Sequence, residues 1–164
     1  MKRSENSPAV TIGPASLDDA EAVLALQKLA FESVARFYDD WTLPPLTQDI
    51  ASLREEFGTS LVLKATVEAG RLVGSVRAKV DDVSCTAAIE RLVVHPDFQD
   101  RGIGSVLMQA IETACAGATR FDLFTGDRSE ATLRLYRRLG YAITRTEAVS
   151  PTMSLTYLEK RAPR

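Results

Sequence analysis

The sequence predicts a mixed α/β (α+β) fold, with a mostly antiparallel central sheet and helices on both of its faces. Three observations carry this. Three apolar runs between Leu61 and Val94 are separated only by short turns, as in an antiparallel meander. Ile103, Val106, Leu107, Ala110, Ile111 and Ala114 recur at helical spacing and make one buried stripe. Strand-like and helix-like segments then alternate, giving the expected order β-α-α-β-β-β-α-β-α-β-β.

Residues 1–9, which contain SENSP, read as a mobile lead. A single domain is expected over 10–158, and 159–164 (EKRAPR) reads as a solvated tail. VTIG (Val10–Gly13) is a short first strand. Ser16-Leu17-Asp18-Asp19 resembles a capping box, with Asp where Glu is usual. The helix that follows carries Val23, Leu26 and Ala30 on one face. The stretch from Ala35 to Asp49 breaks that pattern, because Pro44 and Pro45 forbid a continuous helix. A second helix is expected from near Thr47, with Ile50, Leu53 and Phe57 on one face.

Leu61–Val67 and Leu72–Val80 flank EAGR, where Gly70 supplies a hairpin turn. DDVSC is the next turn, and Ala87–Val94 is the third strand. Beyond the helix at 103–114, TRFDLF (Thr119–Phe124) is a strand. Asp127-Arg128-Ser129-Glu130 can cap another helix, lined by Ala131, Leu135 and Leu139 and stopped by Gly140. Tyr141–Ala148 and Thr152–Leu158 read as a closing antiparallel pair.

A chain of 164 residues fits one domain with a real core. The net charge of −2 argues against a nucleic-acid partner. The longest apolar run falls short of a membrane span, and MKRSENSPAV lacks the apolar core of a signal peptide, so a cytoplasmic protein is expected. Cys85 and Cys115 read as two reduced thiols. With His95 as its one histidine, the chain has no histidine-rich metal site.

The most informative stretch is AIERLVVHPDFQDRGIGSVLMQAIE (Ala88–Glu112), where Gly102 and Gly104 stand at the handover from strand to helix. A helix N-terminus presents free N–H groups and the positive end of a dipole, and glycine lets an anion approach them. A Walker loop is excluded, since Ser105-Val106 follow Gly104 without a lysine. A dinucleotide fingerprint is excluded by Leu107 in place of a third glycine and by the preceding meander. From spacing alone, a phosphate cradle and a merely tight turn both stay open.

Gln99-Asp100-Arg101-Gly102-Ile103-Gly104 matches the Q/R-x-x-G-x-G/A motif, and LRLYRRLGY (Leu133–Tyr141) the L-Y-x-x-x-G-F/Y segment, of GNAT-type N-acetyltransferases. LVVHPDF resembles the strand end and turn that precede that motif. The resemblance spans roughly residues 10–158 and implies a GNAT-like acyl-CoA N-acyltransferase fold. It also implies acetyl-CoA as cosubstrate, with no metal. By resemblance, the turn Gln99, Asp100, Arg101, Gly102, Ile103, Gly104 and Ser105 binds the pyrophosphate through its backbone amides. Leu92, Val93 and Val94 pair with the pantetheine arm. In many members that strand bulges and splays from the next. Ser129 stands where the family often has a pantetheine-contacting Asn. Family analogy further suggests a homodimer formed through the last strands.

Acetyl transfer to an amine poses two proton problems. An alkylammonium with a pKa near ~10.4 is neutral in only about one molecule in 2,500 at pH 7, whereas a thiol near ~8.5 leaves with modest help. Tyr136 matches the family's motif tyrosine, which implies a general acid. Glu90 matches a frequent strand glutamate, which implies a base or water-holder. Alternation places it on the face of Ala88 and Leu92, and an ion pair with Arg77 is its structural alternative. His95 reads as a turn residue, Arg101 as an aid to phosphate binding or a solvated charge, and Asp122 as an ordinary strand residue.

In such folds the segment ESVARFYDDWTLPPL lines the acceptor side. Either Asp39 and Asp40 hold a cationic amine there, walled by Tyr38 and Trp41, or the segment is a surface loop with an aromatic anchored in the core. The expected acceptor is therefore the primary amine of a small molecule, polyamine or peptide. The competing reading is a non-catalytic acyl-CoA-binding sensor.

Overall fold

The computed structural model describes residues 9–163, so SENSP, the rest of residues 1–8 and Arg164 lie outside the described residues. The elements are β1 (Thr11–Pro14), α1 (Ala20–Tyr38), α2 (Pro44–Thr47), α3 (Ile50–Thr59), β2 (Leu61–Val67), β3 (Arg71–Asp81) and β4 (Thr86–Val94). They continue with α4 (Ile103–Ala114), β5 (Arg120–Gly126), α5 (Glu130–Arg138), β6 (Ala142–Ser150) and β7 (Met153–Arg161). The strands form one seven-stranded sheet in the order β1-β2-β3-β4-β5-β7-β6. Every neighbouring pair is antiparallel except β4 and β5. The mixed, mostly antiparallel sheet expected from the sequence is the one found.

Local chemistry sets the helix ends. The Ser16 N–H donates to the Asp19 carboxylate at 2.9 Å, and Lys64 of β2 reaches the same carboxylate at 2.9 Å. These bonds tie the entry of α1 to the sheet and hold the Asp19 pKa below the usual range. Helix α1 runs beyond the expected break and stops when Asp39 turns left-handed, at φ 52°. Pro44 and Pro45 then open a separate one-turn helix, where missing N–H groups remove no bond. Asp49 caps α3 by accepting from the Ser52 N–H at 2.8 Å. The helix expected from near Thr47 begins at Ile50, and the prolines add a separate turn of helix before it.

Helices cover both faces of the sheet. A Cβ at Gly74 would lie 2.9 Å from Leu107 and 3.3 Å from Ile103, so Gly74, Val76 and Ala78 face α4. Alternation turns Ser75 and Arg77 toward α1 and α3, while Val73, the extra residue of a bulge against β2, joins the core under α4. Arg77 is 2% exposed; it donates to Gln27 at 3.1 Å and to Gln48 at 3.3 Å, and pairs with Glu56 at 2.7 Å. Burial lowers the pKa of its guanidinium, and Glu56 opposes that shift. Leu53, Leu107, Met108 and Ile111 are fully buried.

Two expectations require correction. β7 continues through Glu159, Lys160 and Arg161, each paired with β5, and Lys160 reaches Glu112 at 2.6 Å. These residues belong to the sheet and not to a solvated tail. In α5, Ala131 is exposed, and Tyr136 takes the most buried place beside Leu135 and Leu139.

Replacing Arg77 by Met leaves Glu56 without its partner beneath the sheet. The expected loss is about 3 kcal/mol, the low end for a broken buried pair because Glu56 keeps some exposure. Urea denaturation checks it, and Arg77→Met with Glu56→Met should lose less than Arg77→Met alone.

Candidate active site

The site begins with one extra residue in β4. Arg77 stands opposite Glu90, but Ser75 stands opposite Val93, so β4 advances three residues while β3 advances two. That is a β-bulge, and Arg91 within it has φ 56°. Directly opposed residues share a face, so Glu90 lies with Arg77 on the α1 side. Past the bulge the alternation is reversed. Val94 opposes Gly74, and Leu92 lies 3.9 Å from the position of a Cβ on Gly104, both on the α4 side. Strict alternation had placed Glu90 and Leu92 together; the bulge separates them.

β4 also parts from β5. Their parallel pairing covers only Thr86–Ala88 against Arg120–Asp122, while β5 stays paired with β7 as far as Gly126. From Ile89 onward the β4 edge has no β5 partner, and a cavity of about 590 Å³ opens in the gap. Glu90, Arg91, Leu92, Val93, Val94 and Gln99 line it from β4 and the following turn. Ser129, Thr132 and Tyr136 line it from α5 and its entry, and Phe124 to Gly126 from β5. Phe31 and Val34 of α1, with Leu43, Pro44 and Pro45, close one end; Val149, Met153 and Leu155 complete the wall.

Tyr136 is 6% exposed, and its hydroxyl has no hydrogen-bond partner among the described residues. Burial pushes its phenol well above the ordinary value, so it stays protonated at neutral pH. Its ring packs against Tyr141 at 5.9 Å, and Tyr141 donates to Glu112 at 3.3 Å. Glu90 is half-buried and has no ion pair with Arg77, whose partner is Glu56.

The two glycines have different surroundings. Gly102 has φ 81° and begins α4, and a Cβ there would meet nothing within 4 Å. A Cβ on Gly104 would meet Leu135 at 3.4 Å and Leu92 at 3.9 Å, ordinary contacts that place the first turn of α4 beside α5 and β4. Val106 is the first residue of α4 whose N–H bonds back into the turn, to Gly102 O at 3.1 Å. The amides of Ile103, Gly104 and Ser105 therefore have no acceptor within the helix. The Arg101 guanidinium lies 5.2 Å from the centre of the Phe98 ring, and that of Arg71 lies 5.1 Å from it. His95 accepts from the Asp97 N–H at 3.1 Å and holds the turn, and Asp122 pairs with Arg120 at 3.0 Å.

The expected acceptor residues are not in the cavity. Tyr38 is fully buried, and its hydroxyl accepts from the Arg128 N–H at 2.8 Å, tying α1 to the entry of α5. Asp39 ends α1, and Asp40 accepts from Thr42 at 2.6 Å. Trp41 is 53% exposed and lines no part of the gap. Because α1 runs to Tyr38, the wall comes from the residues just before and after this group. Ser129 does line the cavity, with its hydroxyl 3.5 Å from that of Tyr38. Arg91 was missed. Its one signal was a Glu-Arg pair inside an apolar strand, which a regular pleat would point to opposite faces. Among the described residues no helix is long and apolar enough to cross a membrane.

Residues 21–141 match the family described as the acetyltransferase (GNAT) family. The chain is 30% identical over 95 residues to a mycothiol acetyltransferase of Propionibacterium freudenreichii subsp. shermanii, covering 56% of this chain and 30% of that protein. It is 31% identical over 91 residues to an uncharacterized N-acetyltransferase of Gracilaria tenuistipitata var. liui, covering 51% and 50%. The aligned parts are thus half or less of both relatives. In fold it is similar to a PaiA N-acetyltransferase from Thermoplasma acidophilum, solved in complex with coenzyme A. That structure has a TM-score of 0.76 at 17% identity over 94% of this chain and 99% of the other. The ribosomal-protein-S18-alanine N-acetyltransferase from Escherichia coli gives 0.76 at 16% identity over 93% and 94%.

Burial keeps the Tyr136 and Tyr141 phenols neutral in the fold, while those of the unfolded chain ionise near pH ~10. Above that pH the unfolded chain binds fewer protons, so stability falls as pH rises. An absorbance titration of the phenols should show Tyr136 and Tyr141 ionising only as the protein unfolds.

Proposed function

The chain belongs to the acetyltransferase (GNAT) family, and from that premise we propose that it is an acetyl-CoA-dependent N-acetyltransferase acting on a primary amine of a small molecule or peptide. One observation carries the reading. The gap between β4 and β5 brings Glu90, Tyr136 and the free β4 edge into one cavity, with Gln99 of the glycine turn among its walls.

The residues present fit the cosubstrate. The unpaired amides of Ile103, Gly104 and Ser105 and the positive end of α4 suit a pyrophosphate, and the open surface at Gly102 leaves room for it. The backbone of Leu92–Val94 offers a strand edge on which an amide-containing pantetheine arm can pair. Bound acetyl-CoA supplies the acetyl group as a thioester.

This chain's residues then handle the protons. Glu90, directly or through a water, takes the proton that the amine gives up as the N–C bond forms. Tyr136 Oη donates a proton to the sulfur as the C–S bond breaks. The dry surroundings that raise the phenol's pKa also raise that of the thiol, so the sulfur there accepts a proton more readily than in water. The proton lost by the amine balances the one gained by the thiol.

Calorimetry should show acetyl-CoA binding in the micromolar range. Gly102→Asp tests the cradle, because Asp tolerates a positive φ and places a carboxylate in the open space; binding should be lost in the folded variant. Thiol release with an amine should fall about 100-fold in Tyr136→Phe, with acetyl-CoA affinity little changed. Binding without turnover of any amine would leave a non-catalytic acyl-CoA-binding module, and no binding by the folded parent would overturn both readings.

A further inference from the structure

Glu90 and Arg91 are the two charged side chains among the residues lining the gap. A regular strand would point them to opposite faces; the bulge lets both serve the cavity. Holding Arg91 at φ 56° costs about 1 kcal/mol or more, so the surrounding structure enforces this placement. Arg91 has no ion pair or hydrogen bond among the described residues, and its Nε is buried without a partner. The Nε of its neighbour Arg77 is likewise buried without a partner, but both terminal nitrogens of Arg77 are engaged by Gln27, Gln48 and Glu56, whereas those of Arg91 are not engaged. A half-buried guanidinium with free donors beside a cavity is a site for a planar anion.

The charges around it point the same way. Arg77 and Arg91 balance Glu56 and Glu90. When Glu90 takes the acceptor's proton, one positive charge is left over, and it faces the cavity on Arg91. An anionic group on the acceptor offsets it, whereas a polyamine would add to it. The acidic pair Asp39 and Asp40, which had suggested a polyamine, lines no part of the gap. Phe31, Val34, Leu43 and Pro45 make the wall beside these charges apolar.

Resting on the acetyltransferase reading, we infer that the acceptor is a small amino-carboxylate with an apolar side chain, its amine facing Glu90 and its carboxylate held by Arg91. Glu90 and Arg91 line the same cavity from adjacent positions, so one small molecule that carries an amine and a carboxylate can meet both.

The test compares leucine, methionine and phenylalanine with the amines that lack their carboxylates, by thiol release at saturating acetyl-CoA. The amino acids should be preferred by about 10- to 100-fold in kcat/KM, the worth of a hydrogen-bonded charge. In Arg91→Asn, which suits a positive φ, that ratio should collapse toward one; Arg91→Lys should restore part of it. Calorimetry of the same amino acids against protein saturated with CoA gives a readout without turnover, and Arg91→Asn should weaken that binding similarly.

Equal or better use of the decarboxylated amines overturns the inference and leaves the acetyltransferase reading standing. So does acetyl-CoA binding with no turnover of any amino acid tested. A folded parent that does not bind acetyl-CoA overturns both.

Discussion

The site depends on one backbone constraint, the extra residue in β4. A pleated strand points successive side chains to opposite faces, and one inserted residue reverses every face beyond it. Here the reversal falls between Glu90 and Leu92. Upstream, β4 sends Ala87 and Ile89 into the core beneath α4 and holds β5 in parallel register. Downstream it keeps its bonds to β3 but has lost β5. A sheet can be parted this way without collapse because each strand keeps its other neighbour: β3 holds β4, and β7 holds β5 as far as Gly126.

The opening carries an electrostatic demand. Two charged residues, Glu90 and Arg91, face the α1 side together with Arg77, in surroundings that disfavour charge. Gln27, Gln48 and Glu56, from α1 and α3 and the link before α3, engage the terminal nitrogens of Arg77. The first helices therefore do more than cover the sheet. They hold a neutral ion network in place under the bulge and supply the apolar wall of the same cavity from Phe31 to Pro45. Packing, charge balance and cavity shape are set by the same elements.

Much of the fold was legible because its signals are local. The helix at Ile103–Ala114, the hairpin at Gly70 and the order of the strands follow from periodicity and turn chemistry and are found, but Val106 and Ala114 of the expected stripe are exposed, Met108 and Cys115 are buried in their stead, and a third helix stands before β2. The glycine motif and the tyrosine segment marked the two sides of the gap. What stayed hidden depends on tertiary geometry. The bulge has no composition of its own, so Glu90 was grouped with Leu92, and Arg91 was overlooked. Tyr38, Asp39, Asp40 and Trp41 were selected for their chemistry, but where α1 stops decides what they face. Its extra turn buries Tyr38 against Gly126 and Arg128 and leaves the wall to Leu43, Pro44 and Pro45. The tail was misread because Glu159–Arg161 is charged, yet strand pairing and Glu112 hold it.

The glycine pair shows how closely the two sides of the gap are joined. Gly102 serves the backbone: its positive φ turns the chain into α4 and leaves its outer surface open. Gly104 faces the packing, since a Cβ there would lie in contact range of both Leu135 of α5 and Leu92 of β4. Leu135 immediately precedes Tyr136, and Leu92 is the first residue past the bulge pair. The helix start that offers free amides is therefore in contact with the helix that carries the phenol and with the strand that carries the carboxylate. The start of α4, the α5 residue before Tyr136 and the β4 residue past the bulge thus lie against one another at one end of the gap.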